Sequence, residues 1–258
     1  MASHYMRQIQ QLVGEHGNAQ EKQLISRWSN EINHFLKPAD RQLLNQSLGL
    51  EFGIEDALGL KINLKSRGMG AVTSLLAMMN ASPALKAWGD YVLQNQMRFH
   101  CGIKITPERL SHEIYAYPQS HDALSQHLLH VTANQALGEA VRSLRPAAIG
   151  IDDKRGLSLY FAATETGWVE TLLRELGLEN WQGCKAEAWQ QLRFDGNTLL
   201  PGKTGLEISP LDLRVLTRFA SHYPFPYFRY LIPMKSQRDG NFGRDPVSGR
   251  FALYATVN

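Results

Sequence analysis

Cations, tyrosines and a few carboxylates recur at every second position in several short segments of this 258-residue chain. Leu60, Ile62 and Leu64 alternate with Lys61, Asn63 and Lys65, the pattern of an extended segment with one apolar and one polar face. The same reading collects Glu51, His100, Lys104, Glu113, Tyr115, Tyr117, Ser158, Tyr160, Arg229, Lys235, Arg250 and Tyr254, with Lys154 in the turn before Ser158. So many cations in one cavity are costly unless an anion joins them. A diphosphate suits such a clamp. Tyrosine faces beside it would shield a carbocation through the ring quadrupole. Surface lysines on the wet face of an open sheet would give the same alternation, so pattern alone leaves both arrangements open.

These residues need strands to carry them. The segments LGLEFGIED and GLKINLKS form one hairpin around Asp56–Gly59, and FHCGIKI and HEIYAYP form a second around Pro107. AIGID and LSLYF make a third across Asp153–Gly156, CKAEAWQQLRF and TGLEIS a fourth, and YFRYLIPMK and GRFALYATV a fifth. Helical periodicity precedes each pair, over residues 5–36, 72–96, 121–144, the segment GWVETLLRELGL closed by Gly177, and 211–221. The fold class is therefore α+β, with five αββ units in a single domain over residues 1–258. Ten antiparallel strands leave two edges, and closure into a barrel surrounded by helices removes both. A barrel of that size encloses a ligand-sized interior. If helices cover the apolar face, the polar residues line the lumen.

Composition narrows the partners. Hydrophobic content of 43% and charged content of 20% are those of a globular protein. A formal charge of +3 suits an anionic small ligand and lacks the clustered charge of a nucleic-acid footprint. Cys101 and Cys184 form neither a metal spacing nor a disulfide framework, so a reducing, cytoplasmic setting is expected. No run of 18 apolar residues occurs, and no membrane partner is expected. The chain is expected to act as a monomer.

Other motifs carry less. SRGMG lacks the GK[ST] of a phosphate loop, and no serine occupies a nucleophile elbow. Asp152 and Asp153 are expected in a solvated turn rather than at a magnesium site. His121, His127 and His130 share a helix without further converging metal ligands, and Met78 and Met79 suit packing. Residues 236–248 read as a solvated loop, with a lid over the barrel mouth as the other option.

The order of these elements, with several short strands, resembles the ABBA-type aromatic prenyltransferases, whose fold is a ten-stranded antiparallel barrel ringed by helices. GIDDKRGLSLYF resembles a strand pair of that family, LLRELGL the helix after it, and EIYAYP its "TYAFFP"-like strand. GRFALYATV is similar to the closing strand, and LEF lies where the cyanobactin peptide-modifying and indole-acting members carry a catalytic glutamate. The resemblance implies transfer of a prenyl group from an allylic diphosphate, such as dimethylallyl diphosphate, to an aromatic small-molecule or peptide acceptor. It implies Glu51 as the base, Lys61, Lys154 and Arg250 as diphosphate contacts, and Tyr115, Tyr117, Tyr160 and Tyr254 as the prenyl shield. Two departures follow. Glu113 stands where an inward lysine is usual, and the fourth strand pair offers Leu206 and Glu207 in place of an arginine. Lys104 and Arg229 would complete the clamp from other strands. No cofactor is strictly required on this reading, with Mg2+ as an optional ion, and Glu113 is the residue that would hold it. The other class of function is a non-catalytic barrel that binds an anionic or phosphorylated lipid-like ligand.

Overall fold

The computed structural model describes residues 10–35, 48–55, 57–65, 81–105, 110–132, 135–153, 156–163, 167–177, 179, 185–195, 198–209, 213–222, 240–244 and 251–255. Residues 10–16 are helical and precede α1 (Ala19–Phe35). Strands β1 (Leu48–Glu55) and β2 (Ala57–Lys65) lead to α2 (Pro83–Gln94), then to β3 (Arg98–Ile105) and β4 (Leu110–Tyr117). Helices α3 (His121–Thr132) and α4 (Gln135–Leu144) precede β5 (Ala148–Asp152) and β6 (Gly156–Ala162). Helix α5 (Gly167–Leu176) precedes β7 (Lys185–Asp195) and β8 (Thr198–Ser209), and α6 (Leu213–His222) precedes β9 (Gly240–Arg244) and β10 (Phe251–Ala255). Five units of helix followed by two strands therefore follow one another, as the periodicity predicts.

Local chemistry sets the boundaries. Ser82 caps α2 by accepting from the Leu85 N–H at 3.3 Å, and Pro83 fills the first turn, where a missing N–H costs nothing. Leu85, Trp88, Gly89 and Val92 then form the buried stripe of that helix. Gly177 ends α5 at φ +63°, its N–H bonded to the Arg174 carbonyl at 2.9 Å. The expected helix over 121–144 is two helices. A Cβ at Gly138 would meet Leu129 Cγ at 2.5 Å, and the Ser125 hydroxyl donates to the Gly138 carbonyl at 2.7 Å. This close crossing needs a glycine.

The ten strands form one antiparallel sheet in chain order, β1 through β10. β10 also lies against β1, although no ladder between them is among the described strand pairs. One face carries the core. Cys101, Ile114, Ile149, Leu159, Ile208 and Phe242 are buried there, as are Leu85, Leu124, Val141, Leu172 and Val215 from the helices.

Two expectations are corrected. The ninth strand is Gly240–Arg244, inside the stretch assigned to a loop or lid, and it pairs with both β8 and β10. Its sequence GNFGR holds one large apolar side chain, the fully buried Phe242, so it displays no period-two signal. The segment YFRYLIPMK lies outside the described residues. Asp153 is not solvated. Its side chain is 7% exposed and its Oδ1 accepts from the His112 N–H at 2.9 Å. Its Oδ2 meets His112 Nδ1 at 2.9 Å, and the Asp153 N–H returns a bond to the His112 carbonyl at 3.0 Å. The turn lies over β4, so its carboxylate finds partners that a free turn would lack.

Candidate functional site

Register lines up the polar face in rows across the sheet, because residues opposite each other in a ladder share a face. The first row runs Glu51–Lys61–Lys104–Ser111, from β1 to β4. The second runs Asn63–Gly102–Glu113–Asp152–Gly156. A third runs Lys65–His100–Tyr115–Gly150–Ser158–Arg193. Glu51 and Lys61 are direct partners, as expected of the first hairpin, and the partner of Lys61 on the other side is Lys104. At the end of that row Ser111 is fully buried, and its Oγ has no hydrogen-bond partner among the described residues.

Two rings, His100 and Tyr115, stand in the third row, and Tyr117, Tyr160 and Trp189 lie in the rows after it on the same face. His100 stacks on Tyr115 with centroids 4.6 Å apart and hydrogen-bonds the Tyr117 hydroxyl through Nδ1 at 3.2 Å. Arg98 lies 4.3 Å from the centre of the Tyr117 ring, a cation–π distance. Tyr115 meets Tyr160 at 5.5 Å, and Tyr160 meets Trp189 at 6.1 Å, both tilted. These five rings make a continuous arc from β3 to β7.

Glycines make room for the arc. A Cβ on Gly150 would lie 2.8 Å from Tyr115 and 3.1 Å from Tyr160, and one on Gly205 would overlap the Trp189 ring. Polar bonds then fix the rings. The Tyr115 hydroxyl donates to Glu113 Oε2 at 2.8 Å. Gln191 Nε2 donates to Ser158 Oγ at 2.9 Å and to the Tyr160 hydroxyl at 3.0 Å, while its Oε1 accepts from the Lys203 N–H at 3.1 Å.

Of the residues expected to do chemistry, Tyr115, Tyr117 and Tyr160 come together in the arc. Glu51, Lys61 and Lys104 share one row by register, and Tyr254 pairs with Asn241 on β9. Lys154, Arg229 and Arg250 lie outside the described residues. Sequence reasoning missed Trp189 and Gln191. The β7 ladder to β6 is unbroken from Trp189 to Arg193, but a large ring at Trp189 on the polar face and a polar Gln190 on the other blur the apolar–polar alternation. Two of the three helical histidines take separate partners: His121 Nε2 bonds the Pro146 carbonyl at 2.9 Å, and His127 stacks on Tyr91 at 3.4 Å. Burial, with His130 nearby, lowers the pKa of His127.

Among the described residues no helix is long and apolar enough to cross a membrane. No family model and no curated protein matches the sequence. Solved structures do match. A 6-dimethylallyl tryptophan synthase superposes with a TM-score of 0.62 at 12% identity, covering 98% of this chain and 94% of its own. NotF in complex with brevianamide F and DMSPP superposes with a TM-score of 0.62 at 12% identity, covering 99% of this chain and 92% of its own.

The chain has the fold of these two solved structures. At this identity the likeness concerns the backbone fold alone.

Proposed function

We propose that the ten strands close into a barrel and that the chain transfers a prenyl group from an allylic diphosphate to an electron-rich aromatic acceptor. The acceptor is a free indole or phenol, or such a side chain in a modified, cyanobactin-like peptide. What supports this reading is the aromatic arc on the same sheet face, by register, as Lys61 and Lys104: cation-shielding rings and positions for an anion clamp belong to one face. The contact between β10 and β1 supports closure. A structure of NotF with brevianamide F and DMSPP supports a diphosphate donor and an aromatic acceptor.

In this reading Lys61 and Lys104, with Lys154, Arg229 and Arg250, hold the departing diphosphate. Ionisation leaves an allyl cation flanked by Tyr115, Tyr117, Tyr160 and Tyr254. The acceptor attacks that cation, and Glu51 removes the proton from its N–H or O–H. Magnesium is optional, because the clamp itself neutralises the diphosphate.

The test is mass spectrometry of the protein incubated with five-, ten- and fifteen-carbon allylic diphosphates and a panel of indoles, phenols and aromatic peptides. A product heavier by the prenyl group supports the proposal. Donor binding without any product would leave a barrel that only binds an anionic, lipid-like ligand.

A further inference from the structure

Glu113 is 6% exposed yet stands on the polar face, in the middle of its row. A buried carboxylate there is expensive unless it is bonded and used. Its Oε2 accepts from the Tyr115 hydroxyl at 2.8 Å. Tyr115 in turn is held on both faces and at its edge. Its ring lies over Gly150, stacks on His100 at 4.6 Å and tilts against Tyr160 at 5.5 Å. The hydroxyl is therefore fixed at the meeting point of the aromatic arc and a buried anion. The carboxylate also raises the Cys101 pKa, after the larger effect of burial.

We infer that Tyr115 and Glu113 form a proton relay for the acceptor, separate from Glu51. The inference rests on the prenyl-transfer reading above. When the acceptor ring carbon bonds to the allyl cation, that carbon still bears its hydrogen, and the ring is cationic. The proton passes to the Tyr115 oxygen as the Tyr115 proton passes to Glu113 Oε2. The ring regains its aromatic electron pair, Tyr115 stays neutral, and the carboxylate ends protonated. Glu51 handles a heteroatom N–H or O–H, whereas this pair serves the carbon. A tyrosine relay suits the site, since the carboxylate itself is buried and Tyr115 is only half buried.

Among the described residues, the titratable groups beside Glu113 are Tyr115 on its own strand, His100 and Cys101 on β3 and its register partner Asp152 on β5. Glu113→Gln tests the relay, because the amide oxygen still accepts the Tyr115 hydrogen bond but takes up no proton. With a carbon-attacking acceptor, kcat should fall by about 10²-fold or more while the donor KM stays within about twofold. The acid limb of the kcat profile should disappear as well. Tyr115→Phe keeps the ring over Gly150 and should lose as much, and the double variant should fall no further than either single one. Circular dichroism of each variant checks the fold, and Tyr115→Phe carries the test if Glu113→Gln does not fold. Near-wild-type kcat in either folded variant, or additive losses in the pair, overturns the relay while leaving the transfer reading intact. A wild-type protein that prenylates nothing overturns both.

Discussion

Gln191 ties three elements together by donating to the Tyr160 hydroxyl at 3.0 Å from a side chain whose own oxygen holds the Lys203 N–H. Replacing it with leucine removes its bonds to that N–H, to the Tyr160 phenol and to Ser158. Gln191→Leu should lower stability by about 1–3 kcal/mol in urea unfolding. A variant as stable as wild type would show that water replaces all three bonds.

Gly150 is the floor beneath two rings. A methyl there would press Tyr115 and Tyr160 from 2.8 and 3.1 Å, and both rings are backed by neighbours that have little room to give. Gly150→Ala should cost about 1–3 kcal/mol and reduce prenyl transfer at least as strongly as it reduces stability. Unchanged unfolding and unchanged turnover would mean the rings yield freely.

Asp153 accepts two bonds from His112 in a pocket that excludes most water. Asp153→Ala should destabilise by about 1–3 kcal/mol, since the His112 N–H and ring are left buried. Thermal melting with and without the substitution measures this. Asp153→Asn, which keeps one acceptor oxygen, should recover part of the loss.

The Cys101 thiol is pushed up from 9.0 to about 12, first by burial and then by Glu113. The folded protein therefore holds this proton more tightly than the unfolded chain does. The resulting stability is fully present below pH 9 and is lost as pH rises from there through 12. Unfolding midpoints across that window should fall in wild type and fall less in Cys101→Ala, after allowing for the cavity that alanine leaves. Rapid alkylation of native Cys101 at pH 8 would contradict its burial.

Glu51, the partner of Lys61, gives the sharpest test of the transfer chemistry. Glu51→Gln should slow turnover by roughly 10²–10⁴-fold with an acceptor that loses an N–H or O–H proton, at little cost in stability. Full activity at saturating donor would remove Glu51 from the mechanism and reduce it to a cross-hairpin ion pair.

The hairpins from β1 to β6 were legible because large apolar residues alternate with polar ones, and the register then follows from parity. Tyr115, Tyr117 and Tyr160 were legible for the same reason. Trp189 and Gln191 were not, since Trp189 sets a large ring on the polar face and Gln190 a polar side chain on the opposite one, which blurs the alternation of β7. β9 was hidden because glycines at 240 and 243 leave Phe242 alone to signal a strand. The buried Asp153 was hidden because its partner lies 41 residues away in sequence, on β4. Glu113 stood out from its alternation and from the family pattern, but only its bond to Tyr115 gives it a task.

The strict chain order of the ten strands also bears on how the molecule reaches this state. Every described ladder joins neighbours in the sequence, so each hairpin closes a short turn, and each addition to it closes a helix-bearing connection far shorter than the chain, at a smaller entropic cost. The approach of β10 to β1 is different, because it brings together segments about two hundred residues apart. It can form only after the intervening strands have paired. Assembly should therefore proceed by accretion along the chain, with a late, slow phase that belongs to the seam between the first and last strands.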